Sequence, residues 1–516
     1  MTPPDSGRNR PALRAALAML AAIALMWTVL RMHVAGQPLW AVGVAAFGSL
    51  AIAVYAGRRS LAWKYLFPGV AGMVVFIALP LLYTMWIGFT NYSSSNLLTE
   101  ERARAYLLEQ TESEESQARP FTVHRSGTGI VIALAPAPGS AAVDTAGAVL
   151  LSPVLATDGS AAAAPLAMQP GAVPPGEALG LREVIALRPV LMPLQLRLPD
   201  ARVLRYAGLR EFGVVEPVWS AQPDGALLHR ASGTVYRPNR DSGFFESADG
   251  ERMQPGFRVA IGLANYARMV LDAEFRGPFL AIFVWTVVFA ALSVLFSTAL
   301  GMTLAVLLNW EALKYRTLYR TLLFLPYAVP GFISILVFKG LFNQNFGEIN
   351  AILHGLFGIR PAWFADPFLA KVMLLIVNTW LGYPYIMVLC TGLIKAIPAD
   401  LYEASALAGA KPLNNFFRIT APLIARPLTP LLISAFAFNF NNFVLIALLT
   451  DGRPDFLNTK LPAGTTDILV SYTYRIAFTD AGQNFGLAAA ISTLIFFMVA
   501  VMSWMQLKVT RQGQKA

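Results

Sequence analysis

Asp400-Leu401-Tyr402-Glu403-Ala404-Ser405-Ala406-Leu407-Ala408-Gly409-Ala410-Lys411-Pro412 lies between two strongly apolar runs. Asp400 stands where an N-cap belongs, and Glu403 follows at the spacing of a capping box. Gly409 is placed to end the short helix, because glycine enters the left-handed region without steric cost. Pro412 can open a second helix, since the N–H it lacks is one that a first turn leaves unbonded anyway. That second helix is expected to run through Phe416, Phe417 and Ile419 to Pro422. The stretch reads as a helix–glycine–helix elbow. A plain connector needs none of these signals, so a docking element fits better.

The runs on either side of the elbow belong to a wider pattern. Only 14% of the 516 residues are charged, against about 25% in a soluble domain. Apolar runs at 12–30, 40–56, 65–89, 279–310, 322–342, 372–393, 428–449 and 485–507, charged only at Arg14 and Lys339, account for the deficit. Each approaches the ~20 residues that cross a bilayer as a helix, so about eight transmembrane spans are expected. The first run could instead be a cleaved signal peptide, but two further runs follow closely, which suits a signal peptide less well.

The formal net charge is +10. Basic residues cluster beside the runs on alternating sides: Arg8, Arg10 and Arg14; Arg58, Arg59 and Lys64; Lys314, Arg316 and Arg320; Lys395, Arg418 and Arg426; Lys508, Arg511 and Lys515. This is the positive-inside pattern. It puts both termini, residues 311–321 and the elbow in the cytoplasm, and 343–371 and 451–483 outside. Sidedness thus accounts for the basic character, and no nucleic-acid partner is expected. Cys390 is the single cysteine. It excludes an intrachain disulfide and reads as a small buried apolar residue. The four histidines are scattered without ligand spacing, so no metal is expected.

Residues 91–276 contain no apolar stretch of membrane length. The acidic stretch 100–115 reads as helical. The stretch 133–178 is rich in Ala, Gly and Pro. Residues 190–198 and 213–219 read as strands between Pro, Gly and Asp turns. This insert follows the third span and therefore falls outside, in the periplasm where the cell has one. The expected fold class is an all-α polytopic membrane protein with an inserted, mainly β periplasmic domain. Residues 1–90 hold the first three spans, 91–276 the insert and 277–516 the remaining spans, with the elbow at about 398–423.

Two helix faces suggest a ligand. Asn378, Leu381, Gly382 and Tyr385 are spaced i, i+3, i+4, i+7, and Ala435, Phe438, Asn439 and Asn442 repeat that spacing, so each set shares one face. Both faces mix amides or a phenol with apolar or aromatic surface. A neutral sugar needs this pairing, amides for its hydroxyls and aromatic planes for its C–H faces. Helix packing is the other reading, since Asn and Gly often join membrane helices through hydrogen bonds worth ~0.6 kcal/mol. Spacing alone does not separate the two. Pro326, Pro330 and Pro384 fall inside spans, where they are either static kinks or bends that open a mid-membrane cavity.

Glu403-Ala404-Ser405, then Gly409, then Ile419 and Pro422, resemble the EAA loop of ABC importer permeases. Gly262-Leu263-Ala264-Asn265-Tyr266, with Asp272 and Phe275, is similar to the entry of the common permease core. Leu325-Pro326-Tyr327-Ala328-Val329-Pro330, Phe342-Asn343-Gln344, Asn378-Thr379-Trp380-Leu381-Gly382-Tyr383-Pro384-Tyr385 and Phe438-Asn439-Phe440-Asn441-Asn442-Phe443 resemble the maltose/maltodextrin branch of that family. So do the number of spans and the large insert after the third. The likeness is close from about residue 279 onward, weaker over 1–90, and one of position and size for the insert.

This resemblance implies an ABC importer permease fold. It implies that Glu403, Ala404, Ser405, Gly409 and Pro422 couple to the ATPase, whose cleft receives the loop in this family. It implies contact with maltose or maltodextrin at Asn378, Leu381, Gly382, Tyr385, Phe438, Asn439 and Asn442. The implied partners are a MalG-like permease subunit, a MalK-like ATPase dimer, a periplasmic maltose-binding protein that meets the insert, and the lipid of a bacterial inner membrane. No cofactor is implied on this chain, because ATP and Mg belong to the ATPase. Two positions depart from the pattern. Ala408 stands where many members have Asp. Ala435 stands where Ser is usual, and Ser434, turned by about 100° on a helix, is expected to face elsewhere.

Other classes fit poorly. Gly43 to Gly48-Ser49 has the glycine spacing of a phosphate-binding loop but lacks its lysine and lies in an apolar run. No Asp or Glu falls inside a span, which disfavours an ion-coupled secondary transporter. No carboxylate pair, Ser/His pair or metal set suggests a membrane enzyme. A permease for a different di- or oligosaccharide remains an alternative.

Overall fold

A computed structural model describes residues 10–57, 61–113, 118–126, 129–135, 149–155, 165–172, 177–208, 211–310, 312–457, 459, 462–479 and 483–513. Arg8, Arg58, Arg59, Lys515 and much of the Ala/Gly/Pro-rich stretch at 133–178 lie outside the described residues. The chain divides into two compact units. One comprises Met1–Phe89, Leu263–Thr479 and Gly486–Ala516, and the other is built on Thr90–Gly262.

The first unit is helical. Six described helices are long and apolar enough to cross a membrane: Ala15–Val34, Leu61–Ile87, Ala273–Asn309, Pro367–Lys395, Pro412–Phe440 and Phe485–Lys508. Arg316–Ala328 and Gly331–Leu341 make up to seven if they form one broken span, bent by 91°. Pro330 sits at that break and precedes the second piece. Proline cannot donate to the helix before it, so the chain turns there. The remaining expected span, Trp40–Ala56, is helical but shorter. Every expected run is therefore helical, with the fifth and the seventh each divided between two helices.

The seventh span needs correction. Hydropathy placed it at 428–449, whereas the long helix runs over Pro412–Phe440 and a separate short helix follows at Phe443–Leu449. The break falls at Asn441 and Asn442. Asn441 Nδ2 donates to the Ala437 carbonyl at 3.2 Å, and Asn442 Oδ1 accepts from Leu445 N–H at 3.4 Å as the cap of the next helix. Such side chains compete with the helix's own ladder. At the other end, Arg418, Arg426 and three prolines depressed the apolar signal. A π-turn at Phe416–Thr420 shortly precedes Pro422, and Pro427 and Pro430 lie inside the helix itself.

The fourth and sixth spans pack backbone to backbone. A Cβ on Gly301 would lie 2.9 Å from the Tyr383 carbonyl oxygen and from Met387 N, and one on Gly382 would lie 2.7 Å from Ser297 Oγ. Apolar clusters fill two further regions of this unit. One holds Ala305, Leu308, Ile386, Met387, Cys390, Ile424 and Leu428. The other includes Trp285, Phe289, Val377, Leu445 and Ile468. Cys390 is fully buried.

The second unit is mainly β. Among the described residues eight strands form one sheet and five form another. The hairpin of Arg119–Ser126 and Gly129–Leu134 pairs Val123 with Ile132, and both are buried. The acidic stretch is helical only over Glu100–Leu108, where Thr99 caps it, and it turns to strand at Thr111–Ser113. The run 190–198 opens in the helical turn Arg188–Leu191 and is strand only at Gln195–Arg197. The run 213–219 contains Val215–Pro217 and the start of Trp219–Ala221. This unit closes at Gly262, earlier than 276, because the amphipathic helix Ala264–Leu271 and the fourth span, starting at Ala273, belong to the helical unit.

Candidate functional site

Within the helical unit a cavity of about 760 Å³ opens between the fourth, fifth, sixth and seventh spans. Asn378, Leu381, Gly382, Tyr385, Phe438, Asn439 and Asn442 all border it, as does Ala435. The two faces drawn from spacing therefore converge on one space. The volume lies within the range of small-molecule sites. No lining residue carries a charge.

The three asparagines form a chain. Asn378 Nδ2 donates to Asn439 Oδ1 at 2.6 Å, Asn442 Nδ2 donates to Asn378 Oδ1 at 3.2 Å, and Asn439 Nδ2 donates to the Ala435 carbonyl at 2.8 Å. These bonds join the sixth and seventh spans, so packing and binding are not exclusive roles. Each primary amide carries two N–H donors, and each bond above uses one of them. Fixed amides of this kind are pre-oriented for hydroxyl partners. Tyr385 is 43% and Phe438 70% exposed, and both line the cavity. Ser434 also borders it, but its Oγ donates to the Pro430 carbonyl at 3.1 Å and accepts from Gln506 Nε2 at 2.6 Å.

The elbow has its own geometry. Its first helix is Ala399–Leu407, capped by Pro398 and not by Asp400, which lies in the first turn without a capping bond. A carboxylate in that turn still favours the helix dipole. Gly409 has φ +71°. Its N–H donates to the Ala406 carbonyl at 2.9 Å, and Ala410 N–H donates to the Ser405 carbonyl at 3.1 Å. That pair of bonds is a Schellman turn. Pro412 then opens the second helix. Two side-chain links cross the elbow: Ser405 Oγ donates to Asn415 Oδ1, and the Tyr402 and Thr420 hydroxyls share a hydrogen bond of 2.9 Å. Glu403 and Ala404 are exposed. Leu407 is 92%, Leu413 72% and Phe417 67% exposed, a density of bare apolar surface that suits a partner contact.

Comparison with known proteins agrees with this architecture. Residues 98–262 match the family model of the maltose transport system permease protein MalF P2 domain, and residues 297–512 match the binding-protein-dependent transport system inner membrane component. The MalF maltose/maltodextrin transport system permease protein of Klebsiella aerogenes is 49% identical over 94% of each chain. Its counterpart in Escherichia coli K12 is 48% identical over the same shares. The chain belongs to the MalF family. A bacterial ABC transporter involved in alginate import resembles it at a TM-score of 0.41 and 21% identity, over 49% of this chain and 84% of that one, a likeness too slight to argue from.

As a MalF-family member the chain is a multi-pass membrane permease, a transport subunit and not an enzyme. Two features were missed in its sequence. Ser293, Ser297 and Thr298 of the fourth span also line the cavity. Their i, i+4, i+5 spacing was visible, but small hydroxyls in an apolar run read as packing. Asp467 is fully buried in the stretch taken for an outer loop. It accepts from Gly464 N–H at 2.8 Å, Ser471 Oγ at 2.7 Å and Arg475 Nη1 at 2.8 Å. Burial pushes its carboxyl up to about 6 against the pull of Arg475.

Proposed function

We propose that this chain is the permease through which maltose and maltodextrins cross the inner membrane, driven by ATP hydrolysed on a separate subunit. The observation that carries this reading is the uncharged cavity of about 760 Å³ with three linked asparagines and two exposed aromatic rings. A sugar loses water from every hydroxyl it buries, so it needs neutral donors already in place. Tyr385 and Phe438 offer planes for its C–H faces. The relatives carry the maltose/maltodextrin name, and that substrate class suits such a lining.

The coupling path follows from the corrected seventh span. The helix that opens at Pro412 in the elbow is the one that carries Ala435, Phe438 and Asn439 at the cavity. At ~1.5 Å per residue, roughly 40 Å of continuous helix joins the two. Closure of a MalK-like ATPase dimer around Glu403 and the exposed leucines would displace the cavity wall directly. The break at Asn441 and Asn442 would absorb the motion. A MalG-like subunit would complete the pathway, and a periplasmic maltose-binding protein would deliver sugar to the insert. In this arrangement both termini are cytoplasmic, the insert is periplasmic, and ATP and Mg are held by the partner alone.

The test is uptake of labelled maltose into proteoliposomes containing this chain with its permease and ATPase partners. Uptake that needs both ATP and the binding protein supports the proposal. Uptake driven by a proton gradient without ATP overturns it, and ATP-driven uptake of another sugar alone replaces the substrate.

A further inference from the structure

Several buried threonines in the helical unit return their proton to their own helix. Thr286, Thr391, Thr473 and Thr493 each donate to the carbonyl four residues back, at 2.7–2.8 Å. This local bond satisfies a hydroxyl that has no water. Ser293 and Thr298 do not make it. Ser293 is fully buried, and both its Oγ and Thr298 Oγ1 lack a hydrogen-bond partner. Ser334 Oγ and Thr379 Oγ1 are also without one, but those two residues do not border the cavity, whereas Ser293 and Thr298 do. Ser297, between them, touches the position of Gly382.

We propose that Ser293 and Thr298 belong to a second wall of the cavity, on a helix that carries none of the asparagines, and that their hydroxyls, closed to solvent in this structure, turn toward an entering sugar and bond its hydroxyl groups. The proposal rests on the sugar-transport reading above. A buried hydroxyl without a partner is costly until a ligand supplies one. A hydroxyl also both donates and accepts, which lets it meet a sugar O–H in either sense. Each oxygen of the amide chain at Asn378, Asn439 and Asn442 already accepts one bond, which leaves it one lone pair for a sugar O–H. Fourth-span hydroxyls thus add donor and acceptor capacity from a second helix. A site built in this way rejects sugars that lack the matching hydroxyl, since binding them leaves Ser293 or Thr298 unpaired.

The experiment compares wild type, Ser293→Ala, Thr298→Val and Asn442→Ala in the reconstituted transporter. Half-saturation and maximal rate are measured for maltose and for a panel of monodeoxy-maltoses. Ser293→Ala and Thr298→Val should each raise half-saturation about three- to ten-fold, the worth of one neutral hydrogen bond, with the maximal rate retained. For each variant, one deoxy analogue that is impaired in wild type should suffer no further loss. The inference is overturned if both variants keep the wild-type half-saturation and analogue profile, or if they lower only the maximal rate. In that case loss of uptake in Asn442→Ala leaves the transport reading standing. Failure of wild type to take up maltose removes both.

Discussion

Asn442 Nδ2 donates to Asn378 Oδ1 at 3.2 Å, joining the break in the seventh span to the middle of the sixth. The same Asn442 side chain caps the helix Phe443–Leu449 through its oxygen. One residue therefore caps the break, ties two spans together and lines the cavity.

Asn442→Asp separates these duties. The aspartate keeps an oxygen for Leu445 N–H and so keeps the cap. It loses the donor to Asn378 and sets a negative charge against that amide oxygen in an uncharged cavity. Maltose uptake is expected to fall at least about ten-fold, the loss of a charge-opposed polar contact, and the thermal midpoint to fall with the lost tie between the two spans. Asn442→Ala loses the cap as well as the tie to Asn378 and carries no opposed charge, and the lost cap alone should cost about 1 kcal/mol of stability. Uptake kinetics and a thermal scan on the same preparations check the pair.

Asp467 gives a prediction of sign. Its carboxyl is raised to about 6 from the ordinary 3.8 because burial outweighs Arg475, Ser471 and Gly464. The folded state therefore binds a proton that the unfolded state leaves in solution over that window. Folding takes up a proton there, so the contribution of this group to stability rises as pH falls from about 7 toward 4. Asp467→Asn resembles the protonated acid and should be tolerated, with that slope removed. Asp467→Ala leaves Arg475, itself 11% exposed, with Asp455 alone. Removing one partner of a buried pair costs about 3–5 kcal/mol. Thermal midpoints of the three forms at pH 5 and 7.5 decide the matter.

What the sequence made legible follows from which signals are cumulative. A run such as 279–310 adds some thirty weak apolar preferences, and the span emerged with its ends a few residues off. Asn378, Asn439 and Asn442 stood out because amides are rare in such runs and share helical faces. Ser293 and Thr298 did not, since a small hydroxyl is usually satisfied by its own helix and only the absence of that bond marks them. Asp467 was hidden among polar neighbours, its burial set by residues distant in the chain. The end of the seventh span was misplaced because Asn441 and Asn442 break the helix by side-chain bonding, to which hydropathy is blind.

The Schellman turn at Gly409 isolates the elbow from the cavity experimentally. At φ +71° an alanine is strained by about 1–2 kcal/mol, and a proline is excluded because its φ is locked near −65°. Nothing lies within 4 Å of an added Cβ there, so the effect is on backbone conformation and not on packing. Gly409→Ala should reduce transport-linked ATPase stimulation partially and Gly409→Pro abolish it, with membrane insertion unchanged in both. Stimulated ATPase in proteoliposomes measures this. Normal stimulation in the proline variant would remove the coupling role from the elbow.

The two close glycines between the fourth and sixth spans behave differently because their neighbours differ. A Cβ on Gly301 would sit 2.9 Å from the backbone oxygen of Tyr383 and the backbone nitrogen of Met387. Neither can move without separating two helices packed to crystal-like density. Gly301→Ala should therefore cost about 1–3 kcal/mol through overpacking and resist rescue by any single side-chain change. A Cβ on Gly382 meets the Ser297 hydroxyl at 2.7 Å, a group that one rotation or one substitution can remove. Gly382→Ala alone should impair uptake, and Ser297→Gly in the same chain should restore much of it, a coupling of at least about 0.5 kcal/mol in a double-mutant cycle. If Gly382→Ala is equally impaired with and without Ser297, then Gly382 serves the ligand directly and not the approach of the two spans.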